Sequence, residues 1–229
     1  MPDSNLKFKC KYCQREFSRE TTLSVHVCEQ KIRFQHKDDP ANRMGFQNFL
    51  KFYETTQGSS KLKTYDDFAT SPYYKAFVKY GNYCVSSKVI NPARYTEWLL
   101  KNNKRIDYWA SDKLYEEFLQ TYIFKENSSD AMARSLEASI VWAEETNNPS
   151  QHFLRYGNTN KICHLITSGK ITGWVIFNSE SGHEFLNNLN PEQLAIIFDY
   201  ISPDKWQKIF KDYSGDTEYV KEMLKQAGW

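Results

Sequence analysis

The sequence predicts an all-α fold for most of this 229-residue chain. Apolar residues recur every three or four positions, as at Leu114, Phe118 and Tyr122, and this spacing places them on one helix face. Ser-Pro or Asn-Pro pairs mark helix starts, because Ser and Asn cap a helix and Pro fits its first position. The five pairs are Ser71-Pro72, Asn91-Pro92, Asn148-Pro149, Asn190-Pro191 and Ser202-Pro203.

These signals place twelve helices along the chain. Ser111 and Ser129 precede acidic residues and are predicted to cap two of them, while Gly169 and Gly228 follow helix ends. Segment 171–177 is rich in β-branched and aromatic residues, and it is expected to be a short strand or an extended core segment. The approximate helix ranges are 43–56, 65–69, 72–86, 92–102, 112–125, 130–146, 150–156, 159–168, 182–189, 191–201, 203–213 and 216–226.

The N-terminal segment carries four side chains with the spacing of metal ligands. Two residues separate Cys10 from Cys13, twelve separate Cys13 from His26, and one separates His26 from Cys28. This set suits tetrahedral zinc, with bonds of about 2.3 Å to sulfur and about 2.0 Å to nitrogen. We take Cys28 as the fourth ligand, because a helix that ends at His26 would allow the following turn to place the Cys28 thiolate near the metal. His36 or a water is the alternative. Zinc would supply most of the folding free energy of so short a segment.

Apolar positions around these ligands extend the pattern. Phe8 lies two residues before Cys10, Phe17 four after Cys13, and Leu23 three before His26. This set resembles the TFIIIA-type C2H2 zinc finger. That family leaves three to five residues between its last two ligands, whereas Cys28 follows His26 after one residue, so the resemblance is to a C2HC variant. The resemblance implies a ββα fold around zinc, with a helix that begins near Arg19. Its base-contacting positions −1, 3 and 6 correspond here to Arg19, Thr22 and Val25.

The charge of the chain is concentrated near this segment. The formal net charge is +2, but residues 1–37 hold eight Lys or Arg and four acidic residues, a local balance of +4. Clustered cations favour contacts with phosphates, so the expected partner is DNA or RNA, and a solvated surface is the alternative. The expected phosphate contacts are Lys9, Lys11, Arg15, Lys31 and Arg33.

Other motifs bear on function class and compartment. The sequence has no glycine-rich phosphate loop, nucleophile elbow or His-Glu-x-x-His motif, so no enzymatic activity is expected. Cys84 and Cys163, the cysteines outside the finger, do not make a disulfide framework, which favours an intracellular, cytoplasmic protein. No run of 18 apolar residues predicts a membrane span.

Two further segments have alternative interpretations. The 36 aromatic residues mostly lie at helical spacing and are expected to form the core, but Tyr73–Tyr83 alternates with Lys75 and Lys79 and could form an exposed strip. The basic run Lys101–Arg105 falls at a predicted helix end, where cations complement the helix dipole. It could also contact phosphates or an acidic partner.

Together these features predict a zinc finger with a basic flank at 1–37 and a helical domain at 38–229. Residues 147–150 are either a domain boundary or an ordinary helix–helix loop. The predicted function is that of a non-enzymatic, nucleic-acid-associated factor in transcription or replication. The alternative is a protein–protein adaptor or structural component that uses the finger for docking, for example on a polymerase or the replication machinery. The finger-led, aromatic-rich layout resembles small accessory proteins of large tailed phages, which would imply action in a host cytoplasm. The oligomeric state does not follow from the sequence.

Overall fold

The computed structural model describes residues 7–58 and 62–229, so residues 1–6 of the predicted finger domain lie outside the described part. The chain forms two compact units, residues 1–111 and 112–229. The all-α expectation is confirmed, since the described residues form fifteen α-helices, two 3-10 helices and one two-stranded sheet. None of the described helices combines the length and apolarity that crossing a membrane requires.

The first unit holds the sheet, six α-helices and one 3-10 helix. Its elements are β1 (Phe8–Lys9), β2 (Glu16–Phe17), α1 (Glu20–Ser24), α2 (Glu29–Gln35), α3 (Pro40–Gln57), α4 (Tyr65–Thr70), α5 (Tyr74–Ser86), α6 (Pro92–Lys101) and a 3-10 helix (Ile106–Tyr108).

Helices α3 and α5 cross with their backbones in contact, and two glycines make this possible. A Cβ added at Gly81 would lie 2.2 Å from the carbonyl oxygen of Ala41, and one at Gly45 would lie 2.8 Å from that of Phe77. Neither backbone atom can move without moving its helix. The crossing therefore excludes any side chain at either glycine.

Aromatic rings fill the space around this crossing. Phe49 contacts Phe68 at 5.2 Å and Phe77 at 5.5 Å between ring centroids, and Trp109 contacts Tyr80 at 5.2 Å. The edge-to-face arrangement of several pairs is the one that aromatic quadrupoles prefer. Tyr74, Phe77 and Tyr80 are buried, so these rings belong to the core and do not form an exposed strip with Lys75 and Lys79, whereas Tyr73 remains 46% exposed.

The second unit contains nine α-helices around a smaller aromatic core. Trp206 is fully buried and contacts Trp174 at 5.9 Å, while a Cβ added at Gly173 would lie 2.2 Å from the Trp206 indole. The elements are α7 (Asp112–Tyr122), α8 (Ser128–Thr146), a 3-10 helix (Ser150–His152), α9 (Phe153–Tyr156), α10 (Thr159–Thr167), α11 (Gly173–Ile176), α12 (Glu180–Asn187), α13 (Pro191–Ile197), α14 (Pro203–Asp212) and α15 (Ser214–Gln226).

The short strand predicted at 171–177 is wrong, because this segment forms the single turn α11. The N–H of Val175 donates to Thr172 O at 3.1 Å, and the N–H of Phe177 donates to Gly173 O at 3.0 Å. A lone extended segment would leave such buried groups unpaired. The helical turn satisfies them within the segment.

The capping signals identify some helix starts and miss others: Ser202 is the N-cap of α14, but Ser71 is the C-cap of α4, and Pro149 rather than Asn148 is the N-cap of the 3-10 helix. Asn91 and Asn190 cap α6 and α13 as predicted, but the predicted cap Ser129 is wrong, since Asn127 Oδ1 accepts from the N–H of Ser129 at 2.9 Å. Helix α8 therefore begins earlier than the sequence suggested. Residues 147–149 connect α8 to the 3-10 helix that begins at Ser150, inside the second unit. The extents given above to the finger and the helical domain stay predictions.

Candidate metal centre

A tight turn between the two strands brings Cys10 and Cys13 together. Strands β1 and β2 pair antiparallel with Phe8 opposite Phe17, and Cys10 follows β1 directly. The N–H of Cys10 donates to Arg15 O and the N–H of Gln14 donates to Cys10 O, both at 2.9 Å. Gln14 has a left-handed φ of 62°, which lets the chain reverse within four residues.

His26 and Cys28 come from the junction between two short helices. Helix α1 ends at Ser24, and the N–H of His26 donates to Leu23 O at 3.1 Å. Cys28 is the N-cap of α2, and its Sγ accepts from the N–H of Lys31 at 3.4 Å. The second ligand pair is thus fixed by the end of one helix and the start of the next.

The four candidate ligands converge on one point. One ligand atom each from Cys10, Cys13, His26 and Cys28 lies within 4.8 Å of every other, and Cys13 Sγ lies 3.3 Å from His26 Nε2. A tetrahedral zinc ion with ordinary bond lengths separates two sulfurs by about 3.8 Å and a sulfur from a nitrogen by about 3.5 Å. Three thiols and one imidazole at these separations fit zinc. The cluster is that of a C2HC zinc-finger-like site.

His36, the alternative fourth ligand, lies apart from this cluster. It is exposed at the end of α2, where its Nδ1 is 2.8 Å from Asp39 Oδ2. The grouped ligands include Cys28 and do not include His36. The structure therefore favours Cys28 as the fourth ligand.

The surroundings of the thiols affect their protonation in opposite directions. Backbone N–H groups of Cys13 and Tyr12 lower the pKa of Cys10, because they stabilise its thiolate. Burial raises the pKa of Cys28, and the N–H of Lys31 offsets this in part. Because zinc binds thiolates, metal binding at this cluster must release protons, so zinc affinity should fall as the pH falls.

Apolar residues pack beside the ligands as the resemblance implies. The ring of Phe17 lies against the imidazole of His26, with centroids 4.7 Å apart. Phe8 faces Phe17 across the hairpin, and Leu23 lies half-buried on α1. None of the three apolar side chains is fully buried, so this core is too small to fold the segment without further support.

Aromatic contacts fasten the finger to the helices of the first unit. Tyr12, on the turn between Cys10 and Cys13, packs against Phe34 of α2 at 5.1 Å, and Phe34 packs against Tyr65 of α4 at 5.3 Å. The hydroxyl of Tyr65 donates to Arg33 O at 2.8 Å. The finger therefore packs against the helices of the first unit and is part of it.

Arg33, one of the expected phosphate contacts, is engaged inside the unit. Its Nη1 donates to Ala69 O at 2.5 Å, its Nη2 donates to Glu29 at 2.7 Å, and its guanidinium lies 4.3 Å from the ring centre of Tyr74. Only 13% of its side chain is exposed. This engagement fastens α2 to α4 and α5, and it leaves Arg33 unsuited to the phosphate role that the sequence suggested.

Lys31 is also partly engaged, whereas the other expected contacts are open to solvent. The ammonium of Lys31 donates to His26 O at 3.2 Å, beside the metal cluster, and its side chain is half-buried. Thr22 is exposed on α1. Four cations are exposed and form no ion pair within the described residues. These hairpin cations are Lys9, Lys11, Arg15 and Arg19.

Three aliphatic residues beside the ligands are unusually exposed. Val25 is 77% exposed, Val27 64% and Ile32 43%, and we name them the aliphatic patch. Val25 and Val27 flank His26 in the chain. No apolar signal in the sequence distinguished Val27 or Ile32 from ordinary core residues.

No protein-family model, curated protein or solved structure matches this chain.

Proposed function

We propose that the finger is a zinc-stabilised module that binds the backbone of nucleic acid. The observation that carries this proposal is the set of hairpin cations, Lys9, Lys11, Arg15 and Arg19, which are exposed and form no ion pair among the described residues, although Lys9 lies opposite Glu16 in the sheet. Phosphate neutralisation by such cations supplies most of the affinity of non-specific nucleic-acid binding. The nearest acidic side chain on the hairpin, Glu16, is already paired with Lys7 at 2.9 Å.

Zinc would have a structural role in this module. Cys10, Cys13, His26 and Cys28 would hold the ion, which would tie the hairpin to the junction of α1 and α2. The cations of the hairpin would then keep a fixed spacing relative to the rest of the unit. Without that constraint, a hairpin of two-residue strands is not stable in water.

Base recognition by this finger should be limited. Helix α1 has five residues, which corresponds to a length of about 7.5 Å. Arg19 is its N-cap and Thr22 lies within it, but Val25 is already its C-cap. The finger therefore offers two polar side chains to base edges, with Val25 limited to apolar contact. Binding that depends on phosphates suits an accessory factor of transcription or replication better than a sequence-specific regulator.

The salt dependence of binding tests the proposal. The zinc-loaded chain would be titrated by fluorescence anisotropy into a labelled duplex and a labelled oligothymidine, from about 50 to about 200 mM salt. A variant with Lys9, Lys11 and Arg15 changed to Ala should weaken binding and flatten the salt slope by about 2 on the single strand, since each phosphate contact contributes about 0.7.

A matched control tests whether the change in salt slope comes from these particular cations or from the total charge of the chain. A variant with three exposed lysines on helices changed to Ala, Lys79, Lys113 and Lys208, removes the same number of charges. Its salt slope should equal that of the wild type. Equal slopes for the hairpin variant and the wild type, or no binding at about 50 mM salt, would reject the nucleic-acid proposal.

A second function is supported by the aliphatic patch. Solvent-facing Val25, Val27 and Ile32 beside a metal cluster would suit an apolar contact with another protein. If the chain binds no nucleic acid, the adaptor function requires a partner that is retained after nuclease treatment. That partner should be lost when Val25 and Val27 are changed to Asp.

A further inference from the structure

The first unit has an open cleft of about 770 Å³ at the C-terminal end of α3, where Phe52, Thr55 and Thr56 line it. Phe52 of α3 and Trp109 form an aromatic wall, with ring centroids 6.2 Å apart; Trp109 is fully buried and Phe52 is half-buried, so of this pair only Phe52 is open to a ligand. Tyr73 lines the cleft with 46% of its surface exposed. The wall is rigid, because Phe52 and Trp109 both contact the buried ring of Phe77. A cleft of this volume with aromatic walls is typical of ligand sites, which measure about 300–1,000 Å³.

Three cations also line this cleft. Lys101 closes the last turn of α6, and Lys104 and Arg105 follow it. The ammonium of Lys104 lies 5.6 Å from the ring centre of Trp98, and Arg105 lies 5.9 Å from that of Tyr108. Asn103 has a left-handed φ of 52°, which turns the chain so that Lys104 and Arg105 follow the helix end closely.

The acidic residues of the cleft do not cancel this charge. Glu97 is paired with Lys51 at 2.9 Å and with Arg94 at 3.0 Å, and neither of these cations lines the cleft. Asp107 lies 3.7 Å from Arg105, and both side chains are mostly exposed, so their attraction is weak. Lys101 and Arg105 therefore give positive charge to a cleft that is also lined by aromatic residues.

We propose that this cleft binds one segment of a single-stranded nucleic acid, with a base stacked on Tyr73 and Phe52 and its phosphate beside Lys101 and Arg105. This inference rests on the proposed function of the finger and extends it to a second contact on the same strand. Stacking on an aromatic side chain requires an unpaired base, because a duplex covers its base faces. The occupant is therefore a single strand and not a duplex.

The spacing of the two sites is compatible with one strand. The finger reaches α3 through Tyr12, Phe34, Tyr65 and Phe46, each ring within 5.4 Å of the next. Phe46 and Thr56, which lines the cleft, are ten residues apart on α3, a distance of about 15 Å. An oligonucleotide of about 12 nucleotides has the length to contact both sites, and this is within the site sizes of single-strand binders.

The test compares cleft variants on an oligothymidine of about 12 nucleotides, titrated into the zinc-loaded full chain at several salt concentrations. Tyr73→Ala should weaken binding by about fivefold or more, because one stacked base is lost. Lys101→Ala should reduce the salt slope by about 0.7, the contribution of one phosphate on a single strand. Neither variant should change binding to a duplex of equal length.

Matched controls are available outside the cleft. Tyr219→Ala removes a tyrosine of similar exposure, 48%, and Lys79→Ala removes an exposed lysine of α5. Both should bind the oligothymidine as the wild type does. Circular dichroism would verify that Tyr73→Ala retains its fold, and the salt slope of Lys101→Ala reports on phosphates independently of Tyr73.

The outcomes separate this inference from the proposed function. If hairpin variants weaken binding and Tyr73→Ala and Lys101→Ala do not, the cleft proposal is wrong and the finger proposal stands. If no variant changes the binding, or the chain binds no oligonucleotide, both proposals fail. A loss caused equally by Tyr73→Ala and Tyr219→Ala would also overturn the cleft proposal, because it would not be specific to the cleft.

Discussion

Replacing Arg33 with alanine separates a structural role from a phosphate-binding role. The guanidinium donates to Ala69 O at 2.5 Å and lies over the ring of Tyr74 at 4.3 Å, and 13% of the side chain is exposed. Both contacts join α2 to helices that lie later in the chain. We expect Arg33→Ala to loosen the docking of α2 while leaving the proposed contacts with nucleic acid intact.

The size of the effect follows from the two contacts. A hydrogen bond from a charged donor contributes about 1.5–3 kcal/mol. A partly desolvated cation over an aromatic ring contributes about 1–2 kcal/mol. Since these contributions are not additive, we expect the loss of Arg33 to cost about 2–4 kcal/mol. The exposed contact with Glu29 is left out of this figure.

Hydrogen exchange of the α2 amides measures this cost locally. A loss of about 2–4 kcal/mol corresponds to exchange that is about 30-fold faster or more. The control is Lys9→Ala, which removes an exposed cation; it should change stability by less than about 0.5 kcal/mol but reduce the salt slope of single-strand binding by about 0.7. Arg33→Ala should leave that slope unchanged.

The reverse pattern would refute the reasoning. If α2 in the Arg33→Ala variant exchanges at the wild-type rate and the salt slope becomes flatter, Arg33 contacts phosphate and does not fasten α2. The original sequence-based expectation for Arg33 would then be correct.

Three further predictions concern stability and metal binding. Gly81→Ala should destabilise the chain by about 3 kcal/mol or more in urea unfolding, whereas Gly215→Ala, with nothing within 4 Å of its Cβ, should be neutral or stabilising. Burial raises the pKa of Cys84 from 9.0 to about 12. As the pH rises, the Cys84 thiol ionises in the unfolded chain before it ionises in the folded chain. The free energy of unfolding should therefore fall between pH 9.0 and about 12, by at most about 1.4 kcal/mol per pH unit, and Cys84→Ala should remove this pH dependence. In competition with a chelator, Cys28→Ser should lose zinc and His36→Ala should retain it; equal losses would contradict the assignment.

Much of the helical layout could be predicted because its signals are local. Asn91-Pro92 starts α6 and Asn190-Pro191 starts α13, since each pair supplies a cap and a suitable first residue. The left-handed φ of 72° at Gly169 also agrees with its predicted position after a helix end. Such signals act over four or five residues and need no tertiary contact.

Features that depend on distant residues could not be predicted in this way. Helix α2 was missed because its N-cap is Cys28, which the sequence identified only as a ligand. Segment 171–177 has strand-forming residues, but burial without a partner strand favours the turn α11. The charge of Arg33 suggested solvent exposure, whereas Ala69 and Tyr74 determine its burial.

The metal site itself was predictable because ligand spacing is a local property. The separations of Cys10, Cys13, His26 and Cys28 indicated zinc, and the structure groups the same four side chains. The short length of α1 was not predictable, because the family resemblance implies a longer helix. That difference limits the base recognition that the proposed nucleic-acid-binding module could support.

X-ray absorption at the zinc edge tests the central claim most directly. The purified chain, loaded with one equivalent of zinc, should show three sulfur ligands at about 2.3 Å and one nitrogen ligand at about 2.0 Å, from Cys10, Cys13, Cys28 and His26. The spectrum should lose one sulfur in Cys28→Ser and remain unchanged in His36→Ala. A shell of two sulfurs and two nitrogens, or of oxygen ligands alone, would contradict the account.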